Sequence, residues 1–311
     1  MEKWNESSVA EFLLTGLSED PHVQVYLVML FLVLYMTTLV GNTILITAYA
    51  TEQRLHTPMY FFLVNLSFLD ICYSTVIQPN MLVQFLSVRK SMSFSACVCQ
   101  MFAYMLPGCT ECVLLALMGY DRYVAISFPL RYNIIMSKPV CITMASCCWI
   151  SGSAMSVLDT VVILLLPFCG RNVIDHFFCE ATALLKLACA DTFITEMVIF
   201  GTGVYGLLMP TFIIILSYVR ILIAIMGIRT AAGRYKAFST CASHLIVVFM
   251  FYGTTIFMYM KPSSKKSGYL DKIVSVFYTV IPPMLNPLIY SLRNKDVKMA
   301  MQKITRTQLI P

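Results

Sequence analysis

The chain has 311 residues, of which 59% are hydrophobic and only 12% are charged. A soluble domain carries about 25% charged residues, so this chain lacks the polar groups needed to coat a water-exposed surface. The composition excludes a soluble enzyme, a disordered chain and a nucleic-acid binder with a solvated basic face. We therefore expect a membrane protein.

Seven apolar segments are long enough to cross a bilayer, which takes roughly 20 mainly apolar residues. Their apolar runs are continuous and do not alternate as the strands of a membrane barrel do. The predicted fold is an all-α bundle of seven transmembrane helices at residues 24–291, with an N-terminal segment at 1–23 and a tail at 292–311. The predicted spans are about 24–49, 58–81, 97–127, 140–164, 197–226, 237–260 and 270–291.

The basic residues predict the orientation of the bundle. With the N-terminus outside, the inner segments hold thirteen of the 22 basic residues and three of the 16 acidic residues. Positive charge favours the cytoplasmic side, so the N-terminus is expected outside and the tail inside. In this count only two acids, Asp70 and Glu111, lie within the spans.

Two segments match the N-glycosylation pattern, at Asn5-Glu6-Ser7 and at Asn65-Leu66-Ser67. A single sequon is a weak signal by itself. Asn65 lies in the second span, whereas Asn5 is on the predicted outer side. We therefore expect modification at Asn5 alone.

Twelve cysteines are present, and eight of them lie in or near spans, where small apolar packing explains them. The other four lie on the predicted outer side, in an oxidising compartment, so two disulfides are expected. Four cysteines allow three pairings, and spacing alone leaves all three open. Cross-links would fold the long segment at 165–196 over the outer mouth of the bundle. The four are Cys97, Cys169, Cys179 and Cys189.

Six motifs occur in order along the chain. They are Gly41-Asn42 in span 1, Leu55-His56-Thr57-Pro58-Met59-Tyr60 in the first inner loop, Met118-Gly119-Tyr120-Asp121-Arg122-Tyr123-Val124-Ala125-Ile126-Ser127 at the end of span 3, Ser217-Tyr218 in span 5, Lys236-Ala237-Phe238-Ser239-Thr240-Cys241-Ala242-Ser243-His244-Leu245 at the start of span 6, and Pro283-Met284-Leu285-Asn286-Pro287-Leu288-Ile289-Tyr290-Ser291-Leu292-Arg293-Asn294 at the end of span 7. Together they closely resemble the tetrapod-type (class II) vertebrate odorant receptors, a branch of the rhodopsin-like G-protein-coupled receptors. The resemblance runs from about Glu11 to Lys303.

The chain departs from the usual pattern of that family at three positions. Gly119 stands where the family usually has alanine, Ser127 where it has cysteine, and Arg171 where proline is common. Glycine weakens a helix by up to about 1 kcal/mol relative to alanine. Expression and constitutive activity are the properties that we expect Gly119 to affect.

The resemblance implies an odorant receptor that activates a stimulatory heterotrimeric G protein and raises cAMP, at the plasma membrane of olfactory sensory cilia. The acid and base at the end of span 3 predict an ion pair, and the resemblance implies that the arginine is released on activation. After span 7, Val297, Ala300, Met301 and Ile304 recur at helical spacing, which predicts a short amphipathic helix on the membrane. The implied residues of activation and G-protein coupling are Asp121, Arg122, Tyr123, Tyr218, His244, Asn286, Pro287 and Tyr290.

Asp70 and Glu111 are carboxyls within the spans, where ionisable groups are costly and usually functional. If they are close, both cannot stay ionised alone, so they either share a proton or hold a sodium ion. The resemblance places Asp70 with Asn42 and Asn286 at a central polar site. As a hypothesis, the two acids couple the ligand pocket to the inner face. No other cofactor is expected.

A face of span 3 carries residues at helical spacing, a pattern that core packing also explains. The resemblance implies that the outer ends of spans 3, 5, 6 and 7 line the odorant pocket. With no acid expected in that region, we predict a small, volatile, largely uncharged ligand. The predicted ligand-binding residues are Met101, Tyr104, Met105, Gly108, Cys109, Thr202, Gly203, Gly206, Tyr252, Thr255, Ile256, Tyr259, Val276 and Thr279.

The outer segment His176-Phe177-Phe178-Cys179-Glu180 offers His176 and Glu180 as a hypothetical copper or zinc site. The resemblance instead pairs Cys179 with Cys97, which removes its sulfur as a ligand. The second expected disulfide joins Cys169 to Cys189.

There are three alternatives to an odorant receptor, and two of them belong to a different class of protein. A transporter or channel predicts internal repeats, broken helices or rings of pore charge, and the sequence shows none of these. An intramembrane enzyme needs a nucleophile–base pair or a histidine-rich motif, and the four histidines offer no such spacing. A receptor of the same fold that responds to a metabolite outside the nose stays open.

Overall fold

The structure is a computed structural model that describes residues 9–18, 20–169, 172–259, 268–291, 297 and 299, without the side chains of residues 236, 268 and 291. Two sequence predictions fall outside the described residues, the glycosylation site at Asn5 and the amphipathic helix after span 7 apart from Val297. Arg171, one of the three departures from the family pattern, also lies outside them.

Seven helices of the described chain are long and apolar enough to cross a membrane, which confirms the predicted seven-helix bundle. Span 5 contains a short π-helical stretch between two α-helices. Spans 1 to 7 are, in order, Pro21–Thr51, Pro58–Leu86, Phe94–Ser127, Lys138–Leu164, Phe193–Met226 (with Val204–Leu208 as the π-helix), Ala231–Tyr259 and Gly268–Ser291.

Spans 1 and 3 begin a few residues before their predicted apolar windows, where capping side chains satisfy the first N–H groups of each helix. Span 1 starts at Pro21, where the Asp20 carboxylate accepts a hydrogen bond from the His22 amide at 2.8 Å. Span 3 starts after Ser93, whose hydroxyl accepts one from the Ala96 amide at 3.3 Å. Hydropathy detects the lipid-facing part of each helix and not these polar ends.

Span 3 is the centre of the bundle and packs against spans 2, 4, 5 and 6. Small residues bring the helix backbones close together, as in other membrane bundles. A Cβ on Gly152 would lie 2.1 Å from Thr110 Oγ1, and one on Gly41 would lie 2.9 Å from Pro287 Cγ. These glycines fix the spacing of span 4 against span 3 and of span 1 against span 7.

A small sheet closes the outer end of the bundle. The strand β1 (Glu11–Leu14) lies between β2 (Ser91–Ser93), to which it is antiparallel, and β3 (Val173–Ile174), to which it is parallel. The sequence does not predict this sheet, because strands of two to four residues are too short to show an alternating pattern. The sheet ties the N-terminal segment to the loops after spans 2 and 4.

Candidate ligand cavity and inner contacts

A cavity of about 100 Å³ lies among the outer halves of spans 3 to 7, beneath the loop between spans 4 and 5. Its wall is mainly apolar and aromatic, as is usual for small-molecule sites. Nine of the predicted ligand-binding residues line it, namely Tyr104, Met105, Gly108, Cys109, Thr202, Gly203, Gly206, Thr255 and Tyr259.

The other five predicted ligand-binding residues do not line this cavity. Met101 is fully buried in the outer core, one turn above the wall. The Tyr252 hydroxyl donates to the Cys112 carbonyl, and the Thr279 hydroxyl donates to the Ser275 carbonyl at 2.6 Å. Ile256 and Val276 are half-buried instead. Ile256 packs against the hydrophobic cluster that contains Phe251, and Val276 packs against the one that contains Tyr278.

The expectation that the outer pocket has no acid is wrong, because Asp159 lines the cavity. This carboxyl lies inside span 4 and is 4% exposed, so it does not belong with the outer acids. Its Oδ1 accepts a hydrogen bond from the Thr202 hydroxyl of span 5 at 2.8 Å. The position of Asp159, within the apolar window 140–164, was the signal that could have found it.

The cavity wall on span 5 contains the π-helical stretch, a feature that often marks functional sites. It follows Thr202 and Gly203 and includes Gly206. A Cβ on Gly206 would lie 3.2 Å from the sulfur of Met155 on span 4. Spans 4 and 5 therefore pack closely just below the Asp159–Thr202 hydrogen bond.

The loop after span 4 lies over the cavity and hydrogen-bonds to span 3. The Cys179 amide donates to Gln100 Oε1 at 3.0 Å, and the Ala181 amide donates to the Tyr104 hydroxyl at 3.2 Å. Ala181 itself lines the cavity. The loop is thus part of the binding wall as well as its cover.

Both expected disulfides are present in the structure. Cys97 is bonded to Cys179 across 82 residues, and Cys169 is bonded to Cys189 across 20 residues. The first joins the outer end of span 3 to the loop above the cavity. The second closes the base of that loop, so the loop is covalently held at both places.

His176 and Glu180, the two side chains of the hypothetical copper or zinc site, are both buried. Its Nε2 lies 3.1 Å from the Ser275 hydroxyl, and Glu180 accepts hydrogen bonds from the Thr182 hydroxyl and the Ala183 amide. The Cys179 sulfur is in a disulfide. The described residues contain no group of three or more His, Cys, Asp or Glu side chains arranged to hold a metal ion.

Two charged groups connect the loop to span 7 and the N-terminal segment. The Lys272 ammonium lies 2.7 Å from Asp175 Oδ1, and both lie 2.9 Å from the Thr15 hydroxyl. The hydrogen bond from Lys272 lowers the pKa of Asp175. Burial lowers the pKa of the neighbouring His176 to about 3, so this imidazole is neutral in the folded protein.

A buried polar cluster lies midway through the bundle. The Asn286 amide donates to both carboxylate oxygens of Asp70, at 3.1 and 3.0 Å. The Asn42 amide donates to the Pro283 carbonyl at 3.0 Å, joining span 1 to span 7. Asn42 Oδ1, Asn286 Oδ1 and Glu111 Oε1 have no hydrogen-bond donor among the described residues.

At the inner end of span 3, the predicted Asp121–Arg122 ion pair is not found. The Tyr132 hydroxyl donates to Asp121 at 2.7 Å instead, and the Arg122 guanidinium donates to the Met59 sulfur. The short helix Tyr132–Ile135 in the second inner loop places this phenol against the carboxylate. The sequence pattern did not show this contact between the loop and span 3. Arg122 is only 8% exposed.

Spans 3, 5 and 6 are joined near Arg122 by one histidine. His244 Nδ1 lies 2.9 Å from the Tyr218 hydroxyl of span 5, and its Nε2 lies 3.0 Å from the Leu115 carbonyl of span 3. Because the Leu115 carbonyl can only accept, Nε2 carries the proton and Nδ1 accepts from Tyr218. This places His244 among the inner contacts, as the resemblance implied.

The remaining predicted activation residues are Tyr123, Pro287 and Tyr290. Tyr290 is 4% exposed, and its hydroxyl has no hydrogen-bond partner among the described residues. Tyr123 packs edge-on against Phe128 with ring centroids 5.8 Å apart, and Pro287 packs against Gly41. Tyr290 thus has hydrogen-bonding capacity that this arrangement leaves unused.

A family described as "Olfactory receptor" matches residues 31–308. Human olfactory receptor 13D1 is 52% identical over 309 residues, which cover 99% of this chain and 89% of that protein. Human olfactory receptor 2D2 is 51% identical, and the match covers 98% of both chains. Mouse olfactory receptor 5M5 is 47% identical, and the match covers 100% of this chain and 98% of the mouse protein.

The family match and the relatives agree with the seven-helix bundle. Receptors of this family are not enzymes. They bind an odorant and couple to a G protein. The chain belongs to the olfactory receptor family, and it is a multi-pass G-protein-coupled receptor of the membrane.

Proposed function

We propose that this receptor binds small, mostly apolar odorants in the outer cavity and activates a stimulatory G protein that raises cAMP, in the cilia of olfactory neurons. The observation that carries the proposal is the cavity itself, about 100 Å³ in volume and walled mainly by apolar and aromatic side chains. An engineered cavity of about 150 Å³ in another protein accepts benzene. The volume therefore favours ligands near that size.

Two hydrogen bonds between spans 3 and 6 offer a route from the cavity to the inner face. The Tyr252 hydroxyl bonds to the Cys112 carbonyl just below the cavity, and His244 bonds to the Leu115 carbonyl further in. Cys112 and Phe251, next to Tyr252, both line the cavity. A ligand that moves span 6 relative to span 3 changes both bonds, and so biases a two-state equilibrium.

The central polar cluster supports a second part of the proposal, that Asp70 and Glu111 couple the cavity to the inner face. One oxygen each of Asn42, Asn286 and Glu111 has no hydrogen-bond donor among the described residues. Oxygen atoms of this kind are the ligands that a hard cation prefers. A sodium ion between the two acids would offset their mutual repulsion, and a shared proton is the competing arrangement. Sodium-dependent agonist potency that disappears in Glu111→Gln supports the ion. An unchanged dose–response in Glu111→Gln at normal surface expression contradicts the coupling role.

Filling the cavity tests the main proposal. Gly108 lines the cavity, whereas a Cβ on Gly201 of span 5 meets no atom within 4 Å and faces away from the protein. We expect Gly108→Leu to lower the potency of every agonist at least tenfold in a cAMP assay, and Gly201→Leu to leave it unchanged. Both variants replace glycine by leucine in a helix, so the difference isolates the cavity.

The proposal fails in either of two ways. A flat cAMP response to a chemically diverse odorant panel, in cells that express the receptor well at the surface, contradicts the assigned signalling. Agonists whose potency is unaffected by Gly108→Leu contradict the assigned cavity.

A further inference from the structure

The cavity contains one feature that an apolar odorant leaves unused, the carboxyl of Asp159. This side chain is 4% exposed, lies within span 4, and borders a wall that is otherwise mainly apolar. The cavity-lining residues include no Lys, Arg or His within the described chain. A buried carboxylate without a positive partner is costly in free energy, so the site favours a ligand that supplies one.

The hydrogen bonding of Asp159 leaves most of its acceptor capacity unfilled. Thr202 is its one hydrogen-bond donor in the described part of the chain, with Oγ1 2.8 Å from Asp159 Oδ1. The same hydroxyl lies 2.9 Å from the Ile199 carbonyl of its own helix. A hydroxyl has a single proton and an ionised carboxylate has about four acceptor sites, so the carboxyl receives at most one of the bonds it could accept.

We propose that Asp159 is a specificity-determining residue of this receptor, and that its carboxylate binds the ammonium group of a small aliphatic or aromatic amine. The ammonium carries a positive charge and three N–H donors, which match what the carboxylate lacks. The hydrocarbon part of the amine packs against Met105, Ile199 and Phe251 in the same cavity. This inference rests on the proposed odorant cavity and names the ligand class for it.

An alcohol of the same shape is the informative competitor. It can donate one hydrogen bond to Asp159 but leaves the buried charge uncompensated, whereas an ammonium–carboxylate contact is strengthened by the low dielectric of the bundle. We therefore expect the amine to be preferred over its isosteric alcohol. That preference distinguishes a charge-pairing site from a simple hydrogen-bonding one.

The test pairs each amine with its alcohol on the full receptor in cells. Cyclohexylamine, benzylamine and isoamylamine are compared with cyclohexanol, benzyl alcohol and isoamyl alcohol by cAMP response, on the wild type and on Asp159→Asn and Asp159→Glu. We expect at least one amine to be an agonist, with potency at least tenfold lower in Asp159→Asn and largely kept in Asp159→Glu. Alcohol potency should change less than threefold in Asp159→Asn.

A second measurement needs no substitution at Asp159. Cys109 lines the cavity, whereas Cys147 is an exposed free cysteine on span 4. In the purified wild-type receptor, a bound amine should slow alkylation of Cys109 at least threefold, as followed by mass spectrometry, and leave Cys147 unaffected. Cyclohexanol at the same concentration should protect Cys109 less.

The outcomes separate this inference from the odorant proposal. Uncharged odorants that act through the Gly108-sensitive cavity, while every amine neither activates nor protects Cys109, overturn the amine site and leave the proposed function standing. Amine potency unchanged in a well-expressed Asp159→Asn receptor also overturns it. Silence of all ligands, or indifference to Gly108→Leu, instead contradicts the proposed function.

Discussion

The outer and inner ends of the bundle are held together by different kinds of bond. At the outer end, two disulfides, a three-stranded sheet and the Lys272–Asp175 ion pair fix the loops over the cavity. At the inner end, the spans are joined by single hydrogen bonds from Tyr132, Tyr218 and His244. Covalent bonds persist through a conformational change, whereas a hydrogen bond is worth only about 1 kcal/mol, or about 1.5–3 kcal/mol when one partner is charged.

This difference indicates where the receptor can switch. The ligand end keeps its shape, which limits the entropy lost on binding, and the inner end can exchange its contacts at low cost. Arg122 is buried at the inner end, so the arrangement in this structure has a closed inner surface.

Removal of the Cys97–Cys179 disulfide should have the largest effect. Loss of a native disulfide typically costs about 2–5 kcal/mol, and Cys97→Ser detaches the loop from span 3. We expect surface expression to fall severalfold and ligand response to be lost. Cys99→Ser, at an exposed free cysteine on the same helix, is the control and should behave as wild type. Wild-type expression and thermal stability in Cys97→Ser would show that the outer end does not depend on this bond.

Acidification should weaken the outer end through His176. Its folded pKa is about 3 and a free histidine has a pKa near 6.5, so only the unfolded state gains a proton as the pH falls between these values. Stability is therefore full above pH 6.5 and declines below it, by about 2 kcal/mol at pH 5. Lys272 reinforces the low pKa, and Asp175 opposes it.

Thermal unfolding of the purified receptor at pH 7.5 and pH 5 measures this effect. His176→Gln keeps a hydrogen-bonding group beside Ser275 but cannot titrate, so the loss of stability at pH 5 should shrink. His22→Gln, at an exposed position near the start of span 1, should keep the full loss. An identical pH response in wild type and His176→Gln would contradict the burial argument.

Loss of one inner hydrogen bond should release the closed state. Tyr218→Phe removes the hydroxyl that bonds to His244 and keeps the ring. A change of about 1 kcal/mol corresponds to about a fivefold shift, so basal cAMP should rise by up to that factor. Tyr235→Phe, at an exposed tyrosine in span 6, is the matched control. Lower or unchanged basal signalling at equal surface expression would show that this bond does not hold the closed state.

Gly119→Ala should have the smallest effect, and a favourable one. An added Cβ would meet its nearest atom, His244 Cε1, at 3.4 Å, which is an ordinary contact. Alanine should stabilise span 3 by up to about 1 kcal/mol and raise the melting temperature. Gly152→Ala provides the contrast, because its Cβ would overlap Thr110 and should destabilise the bundle. A melting temperature lowered by Gly119→Ala would mean that span 3 cannot accept the methyl group beside His244.

Much of the bundle is predictable from sequence because the bilayer thickness sets the length of an apolar window. The span 3 wall of the cavity is predictable as well, since Tyr104, Met105 and Gly108 share one helical face. The outer sheet is not, because its short strands depend on loops that the disulfides hold in place. Nor is the Tyr132–Asp121 contact, since it depends on how the second inner loop turns back.

Asp159 shows a different limit. Its sequence position already placed it within an apolar window, yet whether a carboxyl in a span faces lipid, another helix or a cavity depends on helix rotation. That rotation is set by tight packing such as Gly152 against Thr110, which one sequence alone does not show.

Hydrogen–deuterium exchange with and without agonist tests most directly the claim that the outer end stays fixed while the inner end switches. We expect agonist to leave exchange in β1 and in the loop after span 4 unchanged or slower. We expect faster exchange at the inner ends of spans 5 and 6, around Tyr218 and His244. Faster exchange in the outer sheet, with no change at the inner ends, would contradict it.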